Sequence, residues 1–330
     1  MRRNDGLIEH TYFFNILNYL KPGDLLVVND TKVMPARLIG QKLTPGLGEE
    51  ERSAAEVLLL RRREELDQRD DLQVQHWEAL VKPGRRLKPG TSISFGGLVA
   101  DVMDWGGVTS KGERLIRLRA TGPQSVDDAL QELGKLPLPP YIKSYQGDTS
   151  LYQTVYAQEQ NSAAAPTAGL HFSDDLLKQA SSAGIELARV CLEIGLDTFR
   201  KVEEEFIEDH HIHTEAFSLS DEAVQAIQRT KERGGRVVAV GTTVVRSLES
   251  AVDASAKLQA VNKTQTGLYI TPGYEFKVVD ALITNFHAPR TTLLMLVAAF
   301  MGYEAMMEAY KQAIGNRYRF LSFGDAMLIV

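Results

Sequence analysis

Apolar runs of strand length alternate with helix-like segments at the start of the chain and again after about residue 145. The runs at 24–28 and 236–240 are almost uninterrupted, which predicts strands buried on both faces. Helices are predicted where apolar positions recur at helical spacing, where a serine can cap the first turn, or where a longer segment is apolar all round. They cover residues 7–20, 173–183, 220–234 and 291–301. This alternation predicts an α/β architecture.

The pattern changes between residues 36 and 144. Short strand-like runs are separated there by Pro-Gly or Gly-Gly pairs at 45–46, 83–84, 89–90, 96–97 and 106–107. Evenly spaced short strands with such turns predict a small antiparallel barrel or sandwich. Because α/β segments flank this block, we expect a discontinuous α/β domain of residues 1–38 and 145–330, interrupted by an inserted β domain of residues 39–144.

Composition narrows the class of protein. The chain has 330 residues, 37 basic and 43 acidic, for a net charge of −6. That balance disfavours a protein that coats long nucleic acid, although it is compatible with a local basic patch. A single cysteine, Cys191, excludes an internal disulfide and favours a reducing compartment. The first residues lack the apolar core of a signal peptide and the longest apolar run, 293–301, is too short for a membrane span, so we expect a cytoplasmic protein.

A loop of small residues at 163–169 precedes a histidine. Gly169 can adopt backbone angles closed to other residues, and Pro166 stiffens the loop, so a ligand could approach the backbone here. His171 follows between apolar neighbours and just before a predicted helix. Burial and the helix N-terminus both favour its neutral form, which can accept a proton. The alternative is a tight turn with a satisfied histidine.

A second candidate site follows the strand at 236–240. Gly241 allows a tight turn, Thr242 and Thr243 offer hydroxyl groups, and the free N–H groups of the next helix favour an anion. Arg246 could pair with a carboxylate or a phosphate. The alternative is an ordinary helix start with a surface arginine.

Polar residues also follow two other predicted strands. Asn29 and Asp30 come after the strand at 24–28, and Asn285 and His287 come after a strand at 278–283. Ligands favour the carboxyl ends of strands in α/β sheets. Local turns remain the alternative.

A metal site is a weaker hypothesis. His210, His211 and His213 lie among acidic residues and could hold a metal in a hydrolase, but a polar loop or substrate contacts explain them as well. We therefore predict no metal site. The chain contains no G-x-G-x-x-G, G-x-x-x-x-G-K-[ST] or G-x-S-x-G motif, which argues against dinucleotide binding, P-loop chemistry and an α/β-hydrolase.

Several longer motifs resemble those of the S-adenosylmethionine:tRNA ribosyltransferase-isomerases of queuosine synthesis. In chain order they are residues 29–38, 137–142, 152–156, 164–172, 241–249, 274–282, 284–300 and 323–329. The resemblance extends from near residue 20 to the C terminus. It implies a mixed α/β sheet with helices, interrupted by a small antiparallel β-barrel.

The resemblance also implies a reaction. Such enzymes transfer the ribosyl part of S-adenosylmethionine to the aminomethyl group of a 7-deazaguanine base in a tRNA anticodon. The ribosyl part isomerises to an epoxycyclopentane, adenine and methionine leave, and the product is epoxyqueuosine in tRNA. S-Adenosylmethionine is consumed as a substrate, so no cofactor is expected, and tRNA is the expected partner.

This chemistry needs a base for the proton next to the sulfonium and a group that hydrogen-bonds the departing adenine. We expect His171, His287 and Arg246 to form the catalytic group and to meet in one cleft, with the proton-transfer roles of the two histidines left open. The expected substrate-binding residues are Asn29, Asp30, Arg37, Tyr152, Gln153, Tyr156, Pro166, Thr167, Gly169, Phe172, Gly241, Thr242, Thr243 and Asn285. Tyr156 and Phe172 could stack on a base or belong to the core.

The chain departs from the family pattern in three ways. A leading segment with its own Arg and Asp residues does not precede Met1. Glu193 and Asp197 stand where the family usually has His and Gly, and Asn161 replaces a usual Gly. These departures motivate an alternative function, a catalytically impaired relative that binds tRNA or a nucleoside only.

Overall fold

The chain folds into two compact units. The computed structural model describes residues 1–44, 53–68, 71–104, 112–142, 145, 147–195, 198 and 201–330. One unit comprises Met1–Lys32 and Pro139–Val330, and the other Val33–Leu138. The turn pairs at 45–46 and 106–107, and the domain limit predicted at residue 144, lie outside the described residues.

The first unit is built on a mixed sheet with seven strands in the described part of the chain. In sheet order they are β13 (Val261–Thr266), β11 (Glu215–Leu219), β10 (Glu186–Leu192), β1 (Leu25–Asn29), β12 (Val237–Val240), β14 (Ala281–Asn285) and β15 (Ala326–Ile329). β10, β1, β12 and β14 run parallel to one another, and β11, β13 and β15 pair with antiparallel neighbours. The carboxyl ends of the four parallel strands therefore lie at one edge of the sheet.

The central strands are buried on both faces, as the apolar runs predict. Every residue of β1, β12 and β14 is buried. Val27 lies beside Ala188 on one side and Ala239 on the other. Each fully buried valine or leucine stabilises the fold by roughly 1.5–3 kcal/mol, so this strand layer holds the carboxyl edge rigidly.

Five helices belong to the described part of this unit. They are α2 (Asp174–Ser182), α3 (Asp221–Glu232), α4 (Thr242–Ser250), α5 (Thr292–Met301) and α6 (Tyr303–Gly315). Ser173 and Ser220 cap α2 and α3, each accepting a hydrogen bond from a backbone N–H three residues on at 3.2 Å. These caps and the buried helix α5 confirm the helices predicted at 173–183, 220–234 and 291–301, whereas α6 was not predicted.

The described residues contain no single helix that is both long and apolar enough to cross a membrane. The consecutive helices α5 and α6, bent by 113° at the break between them, satisfy that test as a pair by length and composition alone.

The helix predicted at residues 7–20 was wrong over most of its length. The described helical segment is a short 3-10 helix, Phe13–Asn18. Phe13, Ile16, Leu17 and Leu20 pack into one core cluster, whereas Leu7 and Phe14 are 42% and 67% exposed, so the buried face does not extend over the whole predicted helix.

The second unit is a closed antiparallel barrel. Its strands, in barrel order, are β3 (Arg37–Leu43), β4 (Ala54–Arg62), β5 (Val74–Lys82), β8 (Arg114–Ala120), β7 (Leu98–Val102) and β6 (Ser92–Ser94). Alternating buried residues such as Val57 and Leu59 fill the interior, and helix α1 (Val126–Leu133) packs on this core. The barrel confirms the fold class that the sequence predicts. A two-stranded sheet of β2 (Thr31–Val33) and β9 (Glu159–Ser162) completes the described strands.

Candidate active site at the carboxyl edge of the parallel strands

Three polar or small residues end the parallel strands or follow them directly, namely Asn29, Gly241 and Asn285. Gly241 has φ +100°, a left-handed value that favours glycine, at the turn from β12 into α4. Its backbone N–H donates to Ile283 O at 2.8 Å, which holds the ends of β12 and β14 together. The sheet thus brings these positions to one edge from distant parts of the chain.

Asn29 uses its carboxamide within the fold. Its Nδ2 donates to Leu192 O at 3.1 Å, and its Oδ1 accepts from Leu192 N at 3.0 Å and Thr31 N at 3.2 Å. These bonds tie the end of β1 to the end of β10. Asn29 therefore shapes this edge through the backbone.

Asp30, the next residue, is different because part of its carboxylate has no partner. The residue is 7% exposed, and its Oδ1 has no hydrogen bond among the described residues. Its backbone is fixed on both sides, since its N–H donates to Val190 O at 3.0 Å and its carbonyl accepts from Gln158 N at 2.7 Å. Burial raises the pKa of Asp30 to about 6.

Other buried hydroxyl oxygens, in the motif at 152–156 and at the start of α4, also lack hydrogen-bond partners within the described chain. They are Tyr152 Oη, Thr154 Oγ1, Tyr156 Oη and Thr243 Oγ1. Buried polar atoms in folded proteins are nearly always hydrogen-bonded, to protein or to water. Several oxygens without hydrogen-bond partners near one sheet edge indicate a binding site where a ligand or water supplies the missing hydrogen bonds.

The small-residue loop packs directly against this group. A Cβ atom at Gly169 would lie 1.9 Å from Tyr156 Oη, and one at Gly241 would lie 3.7 Å from Ala168 Cβ. Gly169 is not among the residues with positive φ, so close approach and not backbone freedom requires a glycine there. The tyrosine hydroxyl, the loop and the start of α4 therefore form one cluster.

The aromatic candidates are largely core residues. Tyr152, Tyr156 and Phe172 are 0%, 6% and 2% exposed, and burial raises the pKa of both tyrosines. Pro166, also buried, precedes the 3-10 helix Thr167–His171, while Gln153 is partly exposed. These placements favour core packing over base stacking for Tyr156 and Phe172.

His171 lies at the end of that 3-10 helix and lines a cavity of about 1320 Å³. Its ring stacks on Phe13 with centroids 4.9 Å apart, and its Nε2 lies 3.2 Å from Asn285 Nδ2. Burial lowers the pKa of His171, opposed by Asp325 and reinforced by Arg319. The direction agrees with the predicted neutral imidazole.

His287 has a separate environment. Its Nε2 lies 2.8 Å from Thr284 Oγ1, and its backbone N–H donates to Tyr310 Oη at 2.8 Å. Burial of the ring lowers the pKa of His287 to about 4, so the ring is neutral at physiological pH. The histidine is therefore held within the fold by its own neighbours.

Arg246 is buried and paired inside the unit. Its guanidinium contacts the Glu215 carboxylate and donates through Nε to Leu268 O at 3.2 Å. Arg246 lines a second, much smaller cavity, whereas His171 lines the large one. His171 and Arg246 thus line two different cavities and His287 lines neither of them, while His171 contacts Asn285, which in turn contacts Thr167.

Thr242 is buried in the first turn of α4, beside Thr243. Arg37 belongs to the barrel unit, where it begins β3 and forms a two-point pair with Glu56 at 3.1 and 2.9 Å. Because the Arg37 guanidinium is paired with the Glu56 carboxylate, it is not an unpaired positive charge for a substrate in this structure.

Two of the three histidines at 210–213 lie beside carboxylates. His210 Nδ1 lies 2.9 Å from Glu204, and His213 Nε2 lies 3.3 Å from Glu215. No three His, Cys, Asp or Glu side chains of the described residues are arranged to hold a metal ion.

The positions that depart from the family pattern have local roles where they are described. Asn161 Nδ2 donates to Cys191 Sγ at 3.2 Å, and Glu193 lies 3.9 Å from Lys263. Asp197 lies outside the described residues. Neither described substitution places an unpaired acid beside His171.

Sequence reasoning missed two charged residues near His171, Asp325 and Arg319. Asp325 accepts from the backbone N–H of Arg319 at 2.7 Å, and the two side chains pair at 3.2 Å. The motif at 323–329 contains Asp325, so that motif was the available signal. Only the folded structure shows that Asp325 lies near His171, which is 154 residues earlier in the chain.

Comparison with known proteins gives the family. A family model described as "Queuosine biosynthesis protein" matches residues 1–329, so the chain belongs to that family. Among the relatives, the S-adenosylmethionine:tRNA ribosyltransferase-isomerase of Halothermothrix orenii is 49% identical, with 100% of this chain and 91% of the relative covered. The protein of the same name from Caldanaerobacter subterraneus is 47% identical, with 99% and 91% covered.

A solved structure is also similar. The crystal structure of S-adenosylmethionine tRNA ribosyltransferase from Thermotoga maritima is 36% identical, and the match covers 100% of this chain and 90% of that one with a TM-score of 0.52. The family resemblance inferred from the motifs is thereby confirmed.

Proposed function

We propose that this protein is an S-adenosylmethionine:tRNA ribosyltransferase-isomerase, as its relatives are named. It moves the ribosyl part of S-adenosylmethionine onto the 7-aminomethyl-7-deazaguanine base of a tRNA anticodon, giving epoxyqueuosine, adenine and methionine. The match to the queuosine family over residues 1–329 carries this proposal. Because its substrate is tRNA, we assign the protein to the cytoplasm.

We assign the reaction to the carboxyl edge of the parallel strands. Asp30, Thr154, Tyr156 and Thr243 present buried oxygens without partners there among the described residues. A nucleoside rich in hydroxyl groups and ring nitrogens supplies complementary donors and acceptors. The free N–H groups at the start of α4, behind Gly241, add a site for a carboxylate or phosphate.

We assign proton acceptance to Asp30. The proton next to a sulfonium must move to a group that is unprotonated at neutral pH, and a group more basic than an ordinary carboxylate accepts it more readily. Asp30 meets both conditions, since burial raises its pKa to about 6, and its Oδ1 is unpartnered within the described chain. The proton passes from the carbon to the carboxylate oxygen, and the electron pair stays on the carbon.

The other predicted residues support this assignment in different ways. Asn29, Pro166, Gly169 and Phe172 shape the edge by packing and backbone bonds. Arg246 stabilises the unit through Glu215. The alternative of binding without catalysis has no support in the comparisons, because the relatives carry the name of the enzyme.

The test is adenine release. The protein is incubated with S-adenosylmethionine and tRNA bearing the aminomethyl precursor, and adenine is quantified by chromatography. Release is expected with this tRNA and not with the same tRNA bearing guanine. Absence of release from protein shown to be folded by circular dichroism, with both substrates intact, would refute the proposal.

A further inference from the structure

Asn285 connects Thr167 to His171 through one carboxamide. Thr167 Oγ1 donates to Asn285 Oδ1 at 3.0 Å, and Asn285 Nδ2 lies 3.2 Å from His171 Nε2. The same Nδ2 donates to Leu321 O at 3.3 Å. Asn285 is 2% exposed, so water does not compete for these bonds.

These contacts fix which end of the amide faces the histidine. A backbone carbonyl oxygen can only accept, so the amide atom facing Leu321 O must be the nitrogen. In the reversed orientation two oxygens, Asn285 Oδ1 and Leu321 O, would face each other in a buried site. The NH₂ group therefore points at Leu321 and His171, and Oδ1 points at the Thr167 hydroxyl.

The orientation of the amide determines the state of the imidazole. The NH₂ group of Asn285 can donate to His171 Nε2 only if Nε2 carries a lone pair, because two N–H groups cannot form a hydrogen bond with each other. A neutral imidazole with an unprotonated Nε2 carries its proton on Nδ1. Protonation of Nε2 would break the contact and leave two donors facing each other.

We propose that Asn285 holds His171 as the neutral Nδ1–H tautomer, so that His171 serves the reaction as a hydrogen-bond donor and not as the proton acceptor. The inference rests on the proposed function and deepens it. The accepting lone pair of the ring is occupied by Asn285, whereas no hydrogen bond to Nδ1 is found among the described residues. The group that accepts the hydrogen bond from Nδ1–H is a base nitrogen or another acceptor of a ligand that enters the cavity lined by His171.

The surroundings of the ring are compatible with this role. Phe13 covers the ring by stacking, with centroids 4.9 Å apart. The charged groups that act on it, Asp325 and Arg319, are paired with each other at 3.2 Å. Their opposite effects on the imidazole partly cancel, which leaves the Asn285 contact to select the tautomer.

Asn285 thus changes role from a substrate-binding candidate to a positioning residue. Its amide acts on the reaction through His171. The Thr167 hydroxyl acts one step further away, because it fixes the amide.

The direct test is the tautomer of His171, read from long-range ¹⁵N–¹H correlations of the ¹⁵N-histidine-labelled full chain, with His171→Gln used to assign the signal. Between pH 7 and 8 the wild-type ring is expected to show the Nδ1–H pattern. Observation of the Nε2–H pattern in the wild type would overturn the inference. This readout needs no turnover, so it is independent of whether adenine is released.

The matched variants are Asn285→Asp and Asn15→Asp. The carboxylate that Asn285→Asp introduces has two acceptor oxygens and no donor, so His171 should change to the Nε2–H tautomer or to imidazolium. Adenine release should fall at least tenfold in kcat with a smaller change in KM. Asn15, whose Nδ2 donates to Thr11 Oγ1 at 3.0 Å near the surface, gives the same chemical change at a side chain with no hydrogen bond to His171, and its variant should leave both readouts unaltered.

A second variant keeps the test valid if the aspartate variant does not fold. Thr167→Val removes the donor to Asn285 Oδ1 and keeps the shape of the side chain. It should populate both tautomers of His171 and lower kcat by a smaller factor than Asn285→Asp does. An unchanged tautomer in Thr167→Val together with unchanged kcat would show that the chain of bonds does not set the state of His171.

Discussion

The carboxylate of Glu215, on β11, forms an ion pair with the guanidinium of Arg246, on α4, in the interior of the α/β unit. The side chains are 2% and 7% exposed. Glu215 also accepts from Gly195 N at 3.1 Å and Thr198 Oγ1 at 3.2 Å, and Arg246 donates to Leu268 O. The pair therefore holds a strand, a helix and two loops together.

Removing one member of this pair should destabilise the unit strongly. Arg246→Ala leaves a buried carboxylate without its cation, which is expected to cost about 3–5 kcal/mol in the free energy of unfolding. Urea unfolding followed by far-UV circular dichroism measures the loss. Arg233→Ala, which removes an exposed pair with Glu186, should cost less than about 1 kcal/mol.

The same pair of variants tests the role of Arg246 in binding. Lost activity in Arg246→Ala with an unchanged unfolding free energy would mean that the guanidinium acts on a substrate instead.

Gly169→Ala should disrupt the candidate site by overpacking. The new methyl group would lie 1.9 Å from Tyr156 Oη and 2.8 Å from Thr154 Cγ2, so the tyrosine must move. We expect a loss of about 1–3 kcal/mol in unfolding free energy and a fall in adenine release. Gly315→Ala, which meets no atom within 4 Å, is the control and should change both by little. Full activity in Gly169→Ala would show that the position of Tyr156 does not matter for turnover.

The sheet and the barrel could be predicted because their signals are local. The uninterrupted apolar run of β1 and the Gly/Pro spacing of the barrel strands are properties of short segments. Helix caps such as Ser173 are equally local. The helix predicted at 7–20 was too long because only the second half of the segment, including Ile16 and Leu20, packs on the core, while Leu7 is exposed.

The side-chain partners in the candidate site could not be predicted in the same way. Asn285 meets His171 across 114 positions, and Arg246 meets Glu215 across 31. Those contacts depend on the order of strands in the sheet. The sequence therefore proposed candidate residues by type, while the structure shows which of them already have side-chain partners.

Asp30→Asn should make the protein more stable at neutral pH and less active. Burial raises the pKa of Asp30 from 3.8 to about 6, so the folded state binds a proton that the unfolded chain releases between those values. Stability due to this group therefore falls as pH rises from about 4 to 6, and the ionised carboxylate destabilises the fold above that range. We expect Asp30→Asn to gain about 3 kcal/mol in the free energy of unfolding at pH 7.5 and to gain little near pH 3.5.

The activity of the same variant tests the proposed base. Adenine release should fall by at least a hundredfold, in line with the usual contribution of a general base. The acidic limb of the wild-type pH–rate profile should lie near pH 6 and be absent from the residual activity. Asp5→Asn, at an exposed pair with Arg2, should leave stability and rate nearly unchanged. A fully active Asp30→Asn would exclude this carboxylate as the proton acceptor.

His287 should make the fold sensitive to acid. Burial lowers its pKa from 6.5 to about 4, so as pH falls below 6.5 the unfolded chain takes up a proton before the folded protein does. The stability contributed by the neutral ring is complete above pH 6.5 and is lost progressively toward pH 4. When the pH is lowered from 7.5 to 4.5, the free energy of unfolding of His287→Gln, measured in urea, should therefore fall by about 2 kcal/mol less than that of the wild type. An identical slope in His287→Gln and the wild type would mean that the imidazole titrates alike in the folded and unfolded chains, in conflict with its burial against Thr284.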